Sequence, residues 1–464
     1  MFILNNDTPV PLYQQLYSQI REHILAGKLP ADARLPSVRQ LAIELATSRN
    51  TVEGAYQELY AEGYIYSKPR SGYFVSALDQ EAAPLSLLKK PRLRSSLSTP
   101  APRFDYDFHP ARLAPKSFPA PLWRKLFSEC LRETSRELVQ YGPPQGELNL
   151  RRMIQLYLER SRGVVCDPEQ IVICAGLQHS LDMVAQILKG SHSVVAVENP
   201  GYHLPRSVFR NHGYEIVPVP VGADGLDLEA LASSGGTLAY VTPSHQLPMG
   251  CVMPVANRLK LIEWAESGGR LILEDDYDSE LRYHGKPIPS LQGLRPRGNI
   301  IYLGTFSKVL SPALRLSYLV LPDSLLDAYR RLFHDYFSTV SLLEQRTLAK
   351  FMEQGHWDRH IRRMRAIYKK QHDVLIRAVA QRFGSRAEIV GQGAGLHIVL
   401  QLPGISLSEA EIISRAAQHG IGLFPFSATC AAGEPAATRL LLGFGGMSAS
   451  EIEAGIALLS RLCF

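Results

Sequence analysis

The sequence predicts a chain of two parts: a small helical unit with a β-hairpin at residues 1–77, and an α/β body with a mainly parallel sheet at residues 104–464. Three observations carry this prediction. Short amphipathic helical patterns and two short strand patterns fill the first part. Residues 78–103 are rich in Pro, Ser, Leu and Ala without clear periodicity, which is typical of a linker. From residue 104 onwards, apolar strand-like runs alternate with helical patterns.

The composition is that of an ordinary globular protein, with 464 residues of which 45% are hydrophobic and 20% charged. The net charge of +6 permits a nucleic-acid partner without requiring one. No apolar run approaches the roughly 20 residues that cross a bilayer, and the start of the chain lacks a signal-peptide pattern, so no membrane partner is expected. Six scattered cysteines have neither metal-ligand nor disulfide spacing. We therefore expect no metal site and a reducing, cytoplasmic compartment.

The first part predicts three helices followed by a hairpin. Residues 11–27 repeat Leu and Ile four positions apart, residues 35–46 form a second helix, and residues 47–63 form a third with Ser48 as N-cap. Residues 64–75, "YIYSKPRSGYFV", indicate two short strands around a basic turn.

This order is that of a winged helix-turn-helix, whose third helix enters the DNA major groove by its N-terminal end. Arg49 suits a guanine edge, and Asn50 could pair with adenine. Ser48 and Thr51 can bind phosphates, as can the exposed amides at a helix start. The other candidate DNA-contacting residues lie on the second helix and on the hairpin: Arg39, Lys68, Arg70 and Gly72.

The charge count of this unit leaves a second interpretation open. Residues 1–77 contain seven Lys and Arg and seven Asp and Glu, so their net charge is zero. A basic surface would need the charges to be segregated, or would need the run "KKPRLR" at 89–94 in the linker. The alternative is a three-helix packing module that binds no nucleic acid.

Residues 33–75, "ARLPSVRQLAIELATSRNTVEGAYQELYAEGYIYSKPRSGYFV", closely resemble the DNA-binding domain of the GntR group of bacterial regulators. The resemblance implies that double-stranded DNA is a partner. It also places the residues named above on that group's DNA-contacting positions.

The first motif of the body is a strand, a glycine turn and a helix, "QIVICAGLQHSLDMVAQIL" at 170–188. Gly176 allows a tight turn, and the amides of Leu177 and Gln178 would lie at a helix N-terminus that can hold a phosphate. Many such turns bind nothing. A second strand ends in "ENPGY", where Tyr202 could stack on a flat ring or simply close a loop.

Clustered acids end a third strand, "RLILEDDYDSE" at 270–280. Such carboxylates can bind a metal, face solvent, or pair with the protonated ring nitrogen of a pyridine cofactor. Tyr277 follows Asp275 by two residues, so it lies on the same side of an extended segment and could reach a ring oxygen.

Lys308 lies in a small-residue turn after a strand, in "GTFSKVLSPALRLSYLV" at 304–320. A desolvated lysine can form a Schiff base with an aldehyde. Thr305, Ser307 and Arg315 can bind a phosphate. Alone, Lys308 could be an ordinary surface lysine. Together, the ordered set of phosphate groups, stacking ring, acid and lysine predicts pyridoxal 5'-phosphate (PLP).

From about residue 104 to 460 the chain is similar to a fold-type I aminotransferase of the aspartate aminotransferase kind. The motifs "YGPPQGELNLRRMIQLYLERSRGV", "AGLQHSLD", "ENPGY", "VTPSHQLPMG", "EDDYDSE", "TFSKVLSPALRLSYL" and "RLLLGFG" occur in the expected order. The resemblance implies that Lys308 forms the Schiff base with PLP, Asp275 pairs with the pyridine nitrogen, and Tyr277 approaches the ring hydroxyl. It assigns ring stacking and phosphate binding to the remaining residues: Tyr202, Gly176, Leu177, Gln178, Thr305, Ser307 and Arg315.

The resemblance also implies roles at the edge of this set. Tyr141 falls where family members reach the neighbouring subunit's site, and Arg439 falls where the α-carboxylate of a substrate is bound. Arg206 and Arg439 could hold an acidic group of an effector, and Arg206 could equally be a surface charge.

One position departs from the family pattern. Leu247 stands where these enzymes usually have an Asn that hydrogen-bonds the ring oxygen, and His245 or Gln246 could substitute for it. The departure puts efficient transamination in doubt, though not cofactor binding.

A GntR-type head joined to an aminotransferase-like body resembles the MocR subfamily of bacterial regulators. The resemblance implies a PLP-binding transcription factor that forms a head-to-tail homodimer, with PLP itself or an amine or amino acid reacting at Lys308 as effector. Such an effector must bind the two dimer conformations differently, and release of Lys308 is a source of that difference. The alternatives are a working aminotransferase with an accessory head, and a structural dimer that has lost PLP.

Overall fold

The computed structural model describes residues 2–5, 8–77, 103–134, 137–283, 288–431 and 437–464. The chain divides into two compact units, Met1–Pro102 and Arg103–Phe464, called here the head and the body. Of the predicted linker at 78–103, only Arg103 is among the described residues, and the basic run at 89–94 lies outside them. No helix in the described parts of the chain has the length and apolar character needed to span a bilayer.

The head has the predicted order of elements, with three helices and one hairpin: α1 (Leu12–Leu25), α2 (Val38–Glu44), α3 (Arg49–Ala61), β1 (Ile65–Lys68) and β2 (Gly72–Val75). The strands pair antiparallel with Lys68 opposite Gly72, so the turn between them is tight. The apolar faces of the helices and the inner residues of the hairpin share one core, in which Leu16, Val52 and Tyr56 are fully buried.

The body alternates helices and strands along most of its length: β3 (Tyr106–Asp107), α4 (Ala120–Glu133), α5 (Leu148–Arg162), β4 (Ile171–Cys174), α6 (Leu177–Leu188), β5 (Val194–Asn199), α7 (His203–Asn211), β6 (Glu215–Gly222), β7 (Gly225–Leu226), α8 (Leu228–Ser233), β8 (Leu238–Val241), α9 (Val255–Ser267), β9 (Leu271–Asp276), α10 (Leu291–Leu294), β10 (Ile300–Thr305), β11 (Ser317–Val320), α11 (Asp323–Phe333), α12 (Leu342–Glu353), α13 (His356–Phe383), β12 (Glu388–Val390), β13 (His397–Leu402), α14 (Glu409–Gln418), β14 (Ile421–Gly422), β15 (Phe424–Pro425), β16 (Thr438–Gly443) and α15 (Ala449–Cys463).

The large sheet of the body has the strand order β4-β11-β10-β9-β8-β5-β6-β7. All of these strands run in one direction except β11 and β7, so the sheet is mainly parallel, as predicted. Strands buried on both faces read as continuous apolar runs, and every residue of β4 and of β8 is buried. Because parallel strands end at one edge, the turns after β4, β5, β8, β9 and β10 lie along the same edge, where ligands of such sheets bind.

A smaller antiparallel sheet, β12-β13-β16-β15, belongs to the C-terminal part of the body. The short strand β14 pairs in parallel with β3, with Ile421 opposite Tyr106. This pairing ties the first described segment of the body to its C-terminal part.

A buried ion pair lies at the edge of the large sheet where the parallel strands end. Arg162 Nε, at the end of α5, lies 2.6 Å from Asp276 Oδ2, and the two side chains are 5% and 1% exposed. Tyr302 donates a hydrogen bond of 2.5 Å to the same oxygen. A buried charge without its partner is costly, so this pair fixes the end of α5 against the end of β9.

We predict that Arg162→Ala lowers the free energy of unfolding of the body by about 3–5 kcal/mol, because Asp276 is left buried without its charge partner. Denaturant unfolding followed by tryptophan fluorescence measures this loss without interference from the head. All three tryptophans of the chain lie in the body: Trp123, Trp264 and Trp357.

Arg160→Ala is the matched control, because Arg160 lies 3.5 Å from Asp358 in an ion pair whose side chains are 66% and 39% exposed. An exposed pair contributes only about 0–1 kcal/mol. Equal losses in the two variants would contradict the assignment of the stability to the buried pair.

Candidate functional site

Lys308 is half-buried in the turn after β10. Its Nζ donates a hydrogen bond of 3.2 Å to the carbonyl oxygen of Pro110. Burial lowers the pKa of Lys308, while the carboxylates of Asp278 and Asp275 act in the opposite direction. A lysine with a lowered pKa at the end of a buried strand is suited to react as an amine.

Asp275 lies near the end of β9 and is 3% exposed. Burial raises the pKa of Asp275 to about 7, against the effect of a hydrogen bond that the Tyr240 hydroxyl donates to its Oδ2. The hydrogen-bond donor described for Asp275, the Tyr240 hydroxyl, is a neutral group. A buried carboxylate of this kind gains most from a ligand that brings a positive charge.

The turns after β4 and β10 face each other through Gly176 and Arg315. Gly176 has a φ of 83°, and a Cβ added there would lie 2.3 Å from Nη2 of Arg315. Arg315 has a left-handed φ of 52°, and its Nη2 lies 3.5 Å from the carbonyl oxygen of Ala175. Only glycine leaves room for the guanidinium at this turn.

Hydroxyl and amide groups complete this corner of the site. Thr305 Oγ1 donates to Ser307 Oγ at 3.0 Å and accepts from the Ser307 N–H at 3.1 Å. Leu177 begins α6, where free N–H groups and the helix dipole favour an anion, and Gln178 is exposed beside it. The predicted phosphate-binding residues are thus brought to two facing turns.

Tyr202 is half-buried at the N-cap of α7. Burial raises the pKa of Tyr202, the Asp275 carboxylate raises it further, and the Arg315 guanidinium lowers it. Ring stacking by Tyr202 stays a prediction.

His245, Asp278 and Tyr277 form a hydrogen-bonded cluster beside Lys308. The sequence predicts this cluster only in part. His245 Nδ1 lies 2.9 Å from Oδ2 of Asp278 and 3.0 Å from the Tyr277 hydroxyl. The side chains of His245 and Asp278 are 1% and 3% exposed. The sequence indicates Asp278 only as one acid of a cluster, although it directly follows Tyr277.

Two further residues near His245 carried no signal in the sequence. The ring of His397 on β13 lies 5.2 Å from that of His245, and burial lowers its pKa well below the usual value. A Cβ added to Gly395 would lie 2.2 Å from Cε1 of His245 and 2.6 Å from Oδ2 of Asp278. Both residues come from the C-terminal part of the body, so only the folded chain brings them here.

Arg206 and Arg439 make their described hydrogen bonds outside this group. Arg206 is 8% exposed and donates to the carbonyl oxygens of Ala428 and Thr429 at 3.0 and 3.3 Å, so the surface-charge alternative is wrong. Arg439 donates to Oε1 of Gln401 at 3.3 Å.

Arg439 lies near the start of β16. Gly443, at the other end of β16, packs against Pro110, the residue that accepts the Lys308 hydrogen bond. A strand rises about 3.3 Å per residue, so the Cα atom of Arg439 lies roughly 13 Å along the strand from that end.

Tyr141 is 80% exposed, and its ring stacks on Phe337 at a centroid distance of 4.1 Å. Phe337 is itself 56% exposed. The described contact of Tyr141 is therefore with a surface aromatic ring and not with the residues around Lys308.

The candidate DNA-contacting residues of the head are exposed except for Thr51, which is half-buried. Ser48 Oγ accepts the N–H of Thr51 at 3.1 Å and lies 2.8 Å from its hydroxyl, so both side chains cap α3. The ammonium of Lys68 lies 4.6 Å from the ring centre of Phe74 on the hairpin. Arg70 and Gly72 form the turn with φ values of 63° and 100°. Arg39 and Arg49 are exposed on α2 and at the start of α3.

Comparison with known proteins finds relatives of both parts. Residues 12–75 match the family of bacterial regulatory proteins named gntR, and residues 112–457 match aminotransferase class I and II. The HTH-type transcriptional regulator YdeL of Bacillus subtilis is 39% identical over 98% of this chain and 97% of its own length. The probable rhizopine catabolism regulatory protein MocR of Rhizobium meliloti is 36% identical over 98% of this chain and 94% of its own.

A solved structure similar to the body is that of LysN from Thermus thermophilus, an α-aminoadipate aminotransferase complexed with N-(5'-phosphopyridoxyl)-L-leucine. It has a TM-score of 0.70 and 27% identity, covering 77% of this chain and 92% of LysN.

We predict that Asp275→Asn stabilises the cofactor-free body by an amount that grows between about pH 4 and pH 7. An aspartate in the unfolded chain titrates near 3.8, whereas burial raises the folded pKa of Asp275 to about 7. In this interval the folded chain retains a proton that the unfolded chain has released, so stability falls with rising pH, by on the order of 3–4 kcal/mol in total.

Denaturant unfolding of both proteins at pH 5 and pH 8 measures this difference. Asp358→Asn, at a partly exposed side chain paired with Arg160, is the control for loss of a carboxylate elsewhere in the body. A difference between wild type and Asp275→Asn that is the same at both pH values would contradict the prediction.

Proposed function

Because the chain belongs to the MocR subfamily of GntR-type bacterial regulators, we propose that it is a DNA-binding transcriptional regulator whose body binds PLP as sensor. The matches to both families confirm the resemblances predicted from the sequence. The observation that carries the proposal is the presence, in one chain, of a winged helix-turn-helix head and an aminotransferase-like body that retains Lys308, Asp275 and Arg315.

The residues around Lys308 fit PLP. When bound, PLP supplies an aldehyde that combines reversibly with amines and a ring that withdraws electrons. Lys308 would hold the aldehyde, Asp275 would face the pyridine nitrogen, and Tyr202 would cover a face of the ring. The raised pKa of Asp275 supports this fit, because a protonated ring nitrogen would give the buried carboxylate its missing counter-charge.

The phosphate of PLP would occupy the corner between the turns after β4 and β10. Arg315 would supply the charge-assisted hydrogen bonds, and the start of α6 its free amides. The space that Gly176 leaves beside the Arg315 guanidinium supports this assignment, since any Cβ would meet that group. The other proposed phosphate ligands are Leu177, Gln178, Thr305 and Ser307.

The hydrogen bond from Lys308 to Pro110 suggests how a reaction at the cofactor reaches the head. Pro110 belongs to the stretch that starts at Arg103, directly after the predicted linker. If Lys308 held the cofactor aldehyde, its nitrogen would no longer be a free amine or ammonium for this bond, whereas a Lys308 released by an amine effector would be. This exchange gives the effector the differential contact with two states that allosteric control requires.

A homodimer, with head-to-tail arrangement of the two chains, completes the proposal. Tyr141 and Phe337 belong to a group of exposed apolar side chains that includes Val139, 85% exposed, and Tyr336, 53% exposed. Apolar groups of this kind mark contact surfaces. A second copy of the chain would cover them and bring Tyr141 to the partner's cofactor.

The competing function is that of a working aminotransferase with an accessory head. The retained Lys308, Asp275 and Arg439 favour it, whereas the apolar Leu247 does not. Turnover of an amino acid with an oxo acid, without specific DNA binding, would decide for the enzyme.

We predict that borohydride reduction of the PLP-loaded protein attaches the phosphopyridoxyl group to Lys308 alone, and that Lys308→Ala abolishes the labelling. The reason is that a Schiff base needs an unprotonated amine, and burial lowers the pKa of Lys308. Peptide mass spectrometry locates the label. Lys369→Ala, at a lysine bound to Asp373 on α13, is the control and should be labelled like wild type. Labelling at other lysines only would refute the PLP assignment.

We predict that Arg49→Ala weakens binding to the operator by about 1–3 kcal/mol, because it removes a side chain placed to read a base edge. Binding to DNA upstream of the protein's own gene and of the divergent neighbouring gene is measured at moderate salt, with and without PLP. Lys28→Ala, at an exposed cation in the loop after α1, controls for loss of charge. Absence of specific binding under every condition would remove the regulator proposal.

A further inference from the structure

His245, Gln246 and Leu247 lie in the loop after β8, where a polar contact with the cofactor ring is expected. The side chain of Gln246 is already hydrogen-bonded, and that of Leu247 is apolar. Gln246 Nε2 donates to Oε2 of Glu198 at 3.2 Å and to the carbonyl oxygen of Pro200 at 2.9 Å. Gln246 Oε1 accepts the N–H of Met249 at 2.9 Å. Leu247 offers no polar side chain. Of the three, His245 is the residue whose described contacts include Tyr277.

The hydrogen bonds of His245 constrain where its protons lie. Asp278 as a carboxylate can only accept, so the 2.9 Å contact requires a proton on Nδ1 of His245. The same Nδ1–H lies 3.0 Å from the Tyr277 oxygen, which therefore cannot donate to it. Tyr277 keeps its own proton for another acceptor.

Asp278 competes for that proton. Burial raises the pKa of Tyr277, and the charge of Asp278 and a hydrogen bond to it raise the pKa further. Because His245 donates to the same carboxylate, it weakens the pull of Asp278 on the Tyr277 hydroxyl. Without His245, Asp278 would hold the Tyr277 hydroxyl more firmly, in competition with any third group.

The surroundings hold His245 in this position. Its side chain is 1% exposed, and Gly395 is packed so closely that a Cβ there would overlap both His245 and Asp278. The titratable and charged side chains that face His245 from the elements around it are Asp278, Tyr277, His397, Arg162, Arg258 and Arg282.

We infer that His245 is a positioning residue of the proposed PLP site, which engages Asp278 and so leaves the Tyr277 hydroxyl as hydrogen-bond donor to the ring oxygen of the cofactor. The inference rests on the proposed function. His245 would thereby support a polar contact to the ring oxygen, which the apolar side chain of Leu247 cannot make. A hydrogen bond to the ring oxygen stabilises the anionic form of that oxygen and so eases loss of the proton that it shares with the Schiff-base nitrogen of Lys308.

The test is a pH titration of the visible absorption band of the full-length, PLP-loaded protein. His245→Ala and Tyr277→Phe should each raise the midpoint by on the order of one pH unit. If His245 acts through Tyr277, His245→Ala should add almost no shift to Tyr277→Phe. Shifts that add fully, or a midpoint unchanged in His245→Ala, would overturn the inference.

Three further variants keep the test decisive if His245→Ala does not fold. His245→Asn retains an N–H close to the position of Nδ1 and should shift the midpoint less. Gly395→Ala should raise the midpoint, because its Cβ displaces both His245 and Asp278. His212→Ala should leave it unchanged, since His212 pairs with Asp182 at 3.0 Å in a partly exposed pair on other elements.

The inference and the proposed function fail in different ways. A wild-type protein that shows no visible band with PLP would refute the proposed function itself. A wild-type band that titrates normally, and is equally indifferent to His245→Ala, His245→Asn and Gly395→Ala, would refute the role of His245 and leave PLP binding intact.

Discussion

The buried acids of β9 impose the constraint on which the body's site depends. Alternation along the strand separates them: Glu274 accepts the backbone N–H groups of Leu291 and Gln292, and Asp276 is paired with Arg162. Asp275 points the other way and has a neutral hydroxyl as its described donor. Glu274 and Asp276 therefore have backbone and charged partners, whereas Asp275 has a hydroxyl. In the proposed function, a protonated ring nitrogen of the cofactor would bring Asp275 a positive charge.

Local patterns in the sequence were sufficient for the parts of the site that lie within one strand and its turn. The period of two along β9 distinguishes Asp275 from its neighbours, and the spacing to Tyr277 follows from it. The contact between His245 and Asp278 joins residues 33 positions apart, and that between Lys308 and Pro110 joins residues 198 apart. No local pattern encodes such pairs, because they depend on which strands are neighbours in the sheet. For Arg439, the order of the motifs identified the residue. It did not predict that the long side chain would reach Gln401.

The zero net charge of residues 1–77 does not argue against a DNA-binding surface. Several of its acids are used inside the unit: Glu62 accepts the Tyr17 hydroxyl at 2.5 Å, and Asp32 accepts the Tyr66 hydroxyl. Arg49 is exposed at the start of α3, and no hydrogen bond or ion pair is found for it among the described residues of the head. Net charge therefore understates the positive potential available at that helix end, where the helix dipole adds to it.

A sensor and an enzyme make different demands on the same fold. Catalysis requires interactions that strengthen in the transition state, including a firm hold on the substrate, whereas control of DNA binding requires only that two states differ in their contacts. Arg206 donates to the backbone of residues 428 and 429 and Arg439 to Gln401, so the described hydrogen bonds of both arginines are made within the protein. The exchange proposed at Pro110 is adequate for control: a hydrogen bond to a charged group contributes about 1.5–3 kcal/mol, and allosteric coupling is typically about 1–3 kcal/mol. If that exchange were fully transmitted to the head, it would alter operator affinity by about a factor of ten for each 1.4 kcal/mol.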